Sequence, residues 1–139
     1  MTTELALRIL LRALGVIVLC AVPAIFMPTA WMAAIHEWLG LGAMPEGPLV
    51  EYLTRSLSAM YAIQGPLFLL VASDLRRYRG VVTYLGAVNV ALGLAMVWVD
   101  HLAGMPAFWS WGEGPPTVVI GAAILWLVRS VPRPGEDRG

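Results

Sequence analysis

Residues 80–102 read GVVTYLGAVNVALGLAMVWVDHL. No charged side chain interrupts this run until Asp100, which is followed at once by His101. A bilayer core about 30 Å thick is crossed by about 20 mostly apolar residues in a helix. The stretch therefore has the length and polarity of a transmembrane span, closing on a carboxylate and an imidazole. Lipid offers the backbone no hydrogen bonds, so such a span must be a helix and not an open strand.

Three further stretches fit the same description. They lie near 6–27 (ALRILLRALGVIVLCAVPAIFM), 49–73 (LVEYLTRSLSAMYAIQGPLFLLVAS) and 116–131 (PTVVIGAAILWLVRSV). The last is short, and needs a thin local bilayer or snorkelling flanks. The chain of 139 residues is 59% hydrophobic and 13% charged, whereas soluble domains are near half apolar with about a quarter charged. The predicted fold is all-α: one integral membrane domain over 1–132, a four-helix bundle, with 133–139 a disordered cytoplasmic tail. The first oily stretch lacks a clear small-x-small site before a polar start, so it is expected to remain as an uncleaved span. Cys20 is the only cysteine, which excludes a disulfide framework and a thiolate metal site.

All nine basic residues are arginines. Arg8, Arg12, Arg76, Arg77, Arg79, Arg129, Arg133 and Arg138 fall on one side of the predicted spans, and only Arg55 on the other. The positive-inside rule then puts both termini in the cytoplasm of a bacterial inner membrane. Arg8 and Arg12 are expected to snorkel to the inner interface, with Arg76, Arg77, Tyr78 and Arg79 as an inner anchor. Formal net charge is zero, which gives no support to a nucleic-acid role.

Residues 29–39 carry Trp31, Ile35, Trp38 and Leu39 at helical spacing, which predicts a short amphipathic helix in the outer interface. Trp31, Trp38, Trp98, Trp109 and Trp111 read as an aromatic belt on that side. Residues 31–48 and 98–115 share an order of features. At an offset of 67, Arg12 matches Arg79, Trp31 matches Trp98, and Glu46-Gly47-Pro48 matches Glu113-Gly114-Pro115. The histidines, His36 and His101, differ by 65, so a duplication of one hairpin fits only in an imperfect register.

On a 100° wheel, Glu51, Thr54, Arg55, Ser58, Ala62 and Gly65 share one face of the second span, and Gly86, Asn89, Gly93, Met96 and Asp100 one face of the third. Small residues at such spacing let helices approach, and polar ones can hydrogen-bond across. Arg55 has the wrong sign for the positive N-terminal end of the second helix, and Asp100 for the negative C-terminal end of the third. Isolated charges near lipid are costly, so an Arg55–Asp100 ion pair is expected, with Glu51 as a second acceptor. Glu51, Arg55, Tyr61, Asn89, Asp100 and His101 form the candidate ligand or ion-pair cluster. Asn89 and Gln64 are expected to hydrogen-bond between helices. Gly65-Pro66 is expected to kink the second span, either opening a small pocket or fitting a neighbouring helix.

Other chemistry is thinly represented. His36, Glu37, Asp100 and His101 are the weak candidates for a metal site, without the close spacing that would anchor one. Neither histidine opens a haem-binding motif. No phosphate loop, dinucleotide fingerprint or nucleophile elbow is present, so no catalytic residue and no cofactor is predicted. The segments MPTAWMAAIHEWLGLGAMPEGPLVEYLTRSLSAMYAIQG and DLRRYRGVVTYLG resemble those of small, uncharacterised four-span bacterial membrane proteins. In size and span count the chain is also similar to DoxX-like small membrane proteins. The likeness implies a multi-pass fold and carries no site residues. Two functional expectations follow. One is a non-enzymatic accessory or interaction subunit that binds lipid, other membrane proteins or its own copies. The other is a protein binding a lipid, quinone or metal, or coupled to redox chemistry, at the outer ends of spans two and three.

Overall fold

A computed structural model describes residues 2–133; residues 134–139, most of the expected tail, lie outside the described residues. The described chain is all-helical, in the order α1 (Thr3–Leu19), α2 (Val22–Phe26), α3 (Thr29–Trp38), α4 (Pro48–Ser73), α5 (Arg79–Ala103) and α6 (Ala107–Leu127), closing in a 3-10 turn at Val128–Ser130. Four stretches, Thr3–Phe26, Pro48–Ser73, Arg79–Ala103 and Ala107–Ser130, are long and apolar enough to cross a membrane. The chain divides into two compact units, one from Arg12 to Leu70 and the other from the N-terminus to Leu11 together with Val71 onward. Both boundaries fall within continuous helices, α1 and α4.

Two of the four predicted spans differ from their sequence reading. The first is broken at Cys20–Ala21. Pro23 lies in the first turn of α2, and its ring would meet the Leu19 carbonyl had α1 continued. The fourth begins at Ala107 and not at Pro116. The Gly- and Pro-rich stretch 112–116 reads as loop, yet Pro115 and Pro116 sit inside α6. They remove two donors from the helix ladder; such losses are tolerated in spans where neighbouring groups compensate. The fourth span is therefore not short. The expected helix over 29–39 is present as α3, with Trp31 and Trp38 exposed and Met32 buried. Glu46-Gly47-Pro48 leads into α4 whereas Glu113-Gly114-Pro115 lies inside α6, so the proposed repeat does not extend to local structure.

In the unit from Arg12 to Leu70, α1 and α4 run antiparallel through two glycines. A Cβ on Gly65 would meet the Leu19 side chain and lie 2.9 Å from the Gly15 carbonyl; one on Gly15 would meet Leu69. Gly65 is thus where α1 approaches, and α4 passes through Pro66 without a break. In the other unit α5 and α6 pack antiparallel through Gly86 against Gly121 and Gly93 against Gly114. A Cβ on Gly93 would lie 2.7 Å from both the Gly114 carbonyl and the Val118 amide, and one on Gly121 2.6 Å from the Val90 amide. Backbone atoms cannot give way as a side-chain tip can. Close approach of this kind is how helices associate where the surrounding solvent is as apolar as their side chains.

The core of this second unit sits at one end. Leu7, Leu11, Val71, Val82, Ile124, Val128 and Val131 are almost fully buried there, contributed by the start of α1, the ends of α4 and α6 and the start of α5. Elsewhere the helices present large apolar side chains outward, among them Phe26, Ile63, Leu94, Val119 and Trp126.

The glycine contacts yield a paired expectation. Gly93→Ala places a methyl against two backbone atoms and should lower stability by about 1–3 kcal/mol. Gly80→Ala has open space around its Cβ and should be neutral or stabilising by up to about 1 kcal/mol. Thermal unfolding of the two variants in detergent checks this, and equal effects would mean that the α5–α6 approach is looser than described.

Candidate functional site

The residues singled out from the sequence fall into two groups. Glu51, Arg55 and Tyr61 stand on α4 in one unit; Asn89, Asp100 and His101 stand on α5 in the other.

Arg55 has acceptors inside its own unit. Its Nη1 donates to the Ile25 carbonyl at 2.7 Å, and Nη2 lies 4.0 Å from Glu51 Oε2 one turn earlier. Ile25 belongs to the last turn of α2, where carbonyls lack helical donors. Met27, at the end of that helix, is extended with ψ 136°, as a residue before proline must tend to be. Pro28 then offers no N–H to the helix end. What holds Arg55 within its unit is a helix terminus, where positive charge is favourable. Glu51 stands at ion-pair distance and outside hydrogen-bond reach.

Two other arginines repeat the arrangement. Arg8 Nη1 donates to the carbonyl of Ser73, the last residue of α4, at 3.0 Å. Arg79 Nε donates to Val131 O, just after the final 3-10 turn, at 3.0 Å. Arg8 thereby bridges chain segments 65 residues apart. The remaining helix ends are closed by backbone. Gly40 (φ 74°) and Gly104 (φ 65°) take the left-handed conformation. Leu41 N–H reaches the His36 carbonyl at 3.2 Å, and Met105 N–H the Asp100 carbonyl at 3.0 Å. These are Schellman closures, in which glycine carries no Cβ penalty. Each histidine or its acidic neighbour thus sits in a last turn. Protonated at Nδ1, His36 also donates to the Gly42 carbonyl at 2.9 Å.

Several uncharged polar side chains in the long helices turn onto their own backbone. Thr54, Ser58, Thr83 and Thr117 hydroxyls donate to the carbonyls of Val50, Thr54, Arg79 and Glu113 at 2.7–2.9 Å. Asn89 Nδ2 donates to Leu85 O at 2.8 Å, so its hydrogen bond is within α5 and not between helices as expected. Gln64 is exposed. Trp109 Nε1 donates to Glu113 Oε2 at 2.6 Å within α6.

Asp100 breaks this pattern. It is the one buried charged residue among the described ones, 4% exposed, and its Oδ2 has no hydrogen-bond partner. A buried polar atom without a partner normally costs about 1–3 kcal/mol, more for a charged group. His101, its neighbour, is exposed, and Tyr61 is half-buried. Among the described residues no group of three or more His, Cys, Asp or Glu is placed to hold a metal ion; His36 and Glu37 stand in one unit, Asp100 and His101 in the other.

Three cavities lie within single units. One of about 400 Å³ is bounded by Thr29, Ala33, Met44, Glu46 and Glu51, between α3, the following loop and the start of α4. A second, of about 490 Å³, is an open groove along α6 beside Trp109, Glu113 and Ile120. A third, of about 330 Å³, is lined by Arg79, Arg129, Ser130, Val131, Pro132 and Arg133. The sequence signalled neither the arginine closures nor this basic cavity as sites. The visible clue was the step into proline at Met27-Pro28 and Val131-Pro132, which removes the backbone donor a helix end would use.

The closure by Arg55 is directly testable. Arg55→Met should destabilise the protein by about 1.5–3 kcal/mol, the range for a hydrogen bond to a charged group, and speed amide exchange around 26–31. Glu51→Gln should cost less than about 1 kcal/mol, as half-exposed ion pairs do. Equal losses in the two variants would show that the ion pair, not the helix end, is what Arg55 serves. Compared with protein-family models, with curated proteins and with solved structures, the chain matches none.

Proposed function

We propose that this chain is a four-span protein of the bacterial inner membrane, with both termini in the cytoplasm, acting as a non-enzymatic accessory or interaction subunit. The observation that carries the membrane reading is the inversion of polarity. Large apolar residues such as Phe26, Met60, Ile63 and Val119 face outward, a surface that water would drive to associate. Hydroxyls and amide meanwhile fold onto their own helices, as an apolar solvent requires. The arginine distribution supports the orientation. The accessory role is supported by apolar faces that offer other helices a packing surface.

A second reading rests on Asp100. A buried carboxylate oxygen with no partner suits a site for a lipid, quinone or other ligand with a donor group at the outer end of α5. Ionisable groups within spans are functional candidates by default.

Orientation is checked in a Cys20→Ser background with single cysteines, Thr2→Cys or Ala43→Cys, and a membrane-impermeant maleimide on intact spheroplasts. Ala43→Cys should label directly and Thr2→Cys only after permeabilisation; the reverse pattern would overturn the topology. Mass spectrometry of gently extracted protein, with metals and visible absorption recorded, separates the two roles. Stoichiometric partner subunits favour the first. A stoichiometric small molecule lost in Asp100→Asn favours the second.

A further inference from the structure

We propose that the cavity where α6 ends, lined by Arg79, Arg129, Ser130 and Arg133, binds a phosphate-type anion, supplied by a lipid headgroup or by free phosphate. Its volume of about 330 Å³ is at the low end of ligand pockets, which span about 300–1,000 Å³. Arg79, Arg129 and Arg133 line it, and among the described residues no carboxylate does. Guanidinium groups match phosphate oxygens in pairs through parallel N–H donors.

The site is built and not merely basic. Arg79 is fixed by its Nε bond to Val131 O, a contact that leaves its two terminal nitrogens for a ligand. Val131, which lines the cavity, is almost completely buried. Arg129 is exposed beside the cavity. The Ser130 hydroxyl adds a neutral donor at the rim. A helix C-terminus by itself repels anions, with roughly half a negative charge. Here that end is already answered by Arg79, and Arg129 and Arg133 stand beside it. The inner arginines Arg76 and Arg77 line no part of the cavity, so general surface charge and this site can be told apart. Basic pockets at the cytoplasmic ends of spans hold anionic headgroups by the same physics.

The site rests on the cavity alone; only the headgroup source depends on the proposed membrane placement. Full-length protein in zwitterionic detergent is titrated with short-chain phosphatidylglycerol, with short-chain phosphatidylcholine and with inorganic phosphate, and read by native mass spectrometry. Phosphatidylglycerol is expected to bind saturably and more tightly than phosphatidylcholine. Arg129→Gln should weaken it about fivefold, and Arg129→Gln with Arg133→Gln about 25-fold. Arg77→Gln should change it less than about twofold, because its charge stands outside the cavity. Displacement of the lipid by inorganic phosphate assigns the site to the free anion, and resistance to displacement assigns it to the headgroup. Equal binding of the two lipids, or an Arg77→Gln loss matching that of Arg129→Gln, overturns the proposal. The unfolding temperature of Arg129→Gln, expected unchanged, separates lost binding from lost fold.

Discussion

A helix leaves its last carbonyls without donors, and in a solvent that cannot hydrogen-bond, something in the chain must answer them. Two solutions share this molecule. Where the residue after the helix can be a glycine with positive φ, backbone N–H groups fold back, as at Gly40 and Gly104. Where the next residue is proline, that donor does not exist, and a guanidinium replaces it. Ile25 is met by Arg55 before Pro28, and Val131 by Arg79 before Pro132. Ser73 is met by Arg8 without a proline beside it. Long reach suits arginine to this task, and its permanent charge matches the negative end of the helix.

Closing the helix ends does not bring helices together; the glycines do that. Burial of apolar area drives little association when the alternative surroundings are equally oily, so contact area and close backbone approach decide. Gly86, Gly93, Gly114 and Gly121 let α5 and α6 touch at backbone distance, and Gly15 with Gly65 do so for α1 and α4. The exposed apolar side chains fit the proposed membrane placement, in which nothing is gained by hiding them from lipid.

Periodicity and length made the helices legible, because runs such as 80–102 have no competing local preference. The breaks were harder. Pro23 follows the break after α1, where its ring would clash with a continuing helix, yet Pro115 and Pro116 do not end α6. Where those two prolines stand, α6 also packs closely on α5 through Gly114, a tertiary feature that composition does not encode. The dipole argument correctly marked Arg55 as mismatched on its own helix, then sought a carboxylate where the acceptor was a carbonyl at the end of another. A side-chain wheel displays side chains and omits backbone acceptors, so Ile25 was invisible to it. Asn89 failed as an interhelical bond for a related reason: the nearest acceptor in any helix is its own carbonyl one turn back.

Arg55 stands alone on its side of the predicted spans, and the helix ends explain the exception. Under the proposed orientation, positive charge is favoured at the cytoplasmic ends, where Arg8 and Arg79 serve charge bias and helix closure together. On the outer side α3 and α5 close with glycine, which needs no cation. Only α2 ends there against proline, and Pro28 denies it the N–H that a glycine closure requires. A side-chain donor is what remains. The one arginine placed against the topological bias is thus the one that backbone chemistry demands, and the bias and the closure rule account for different residues without conflict.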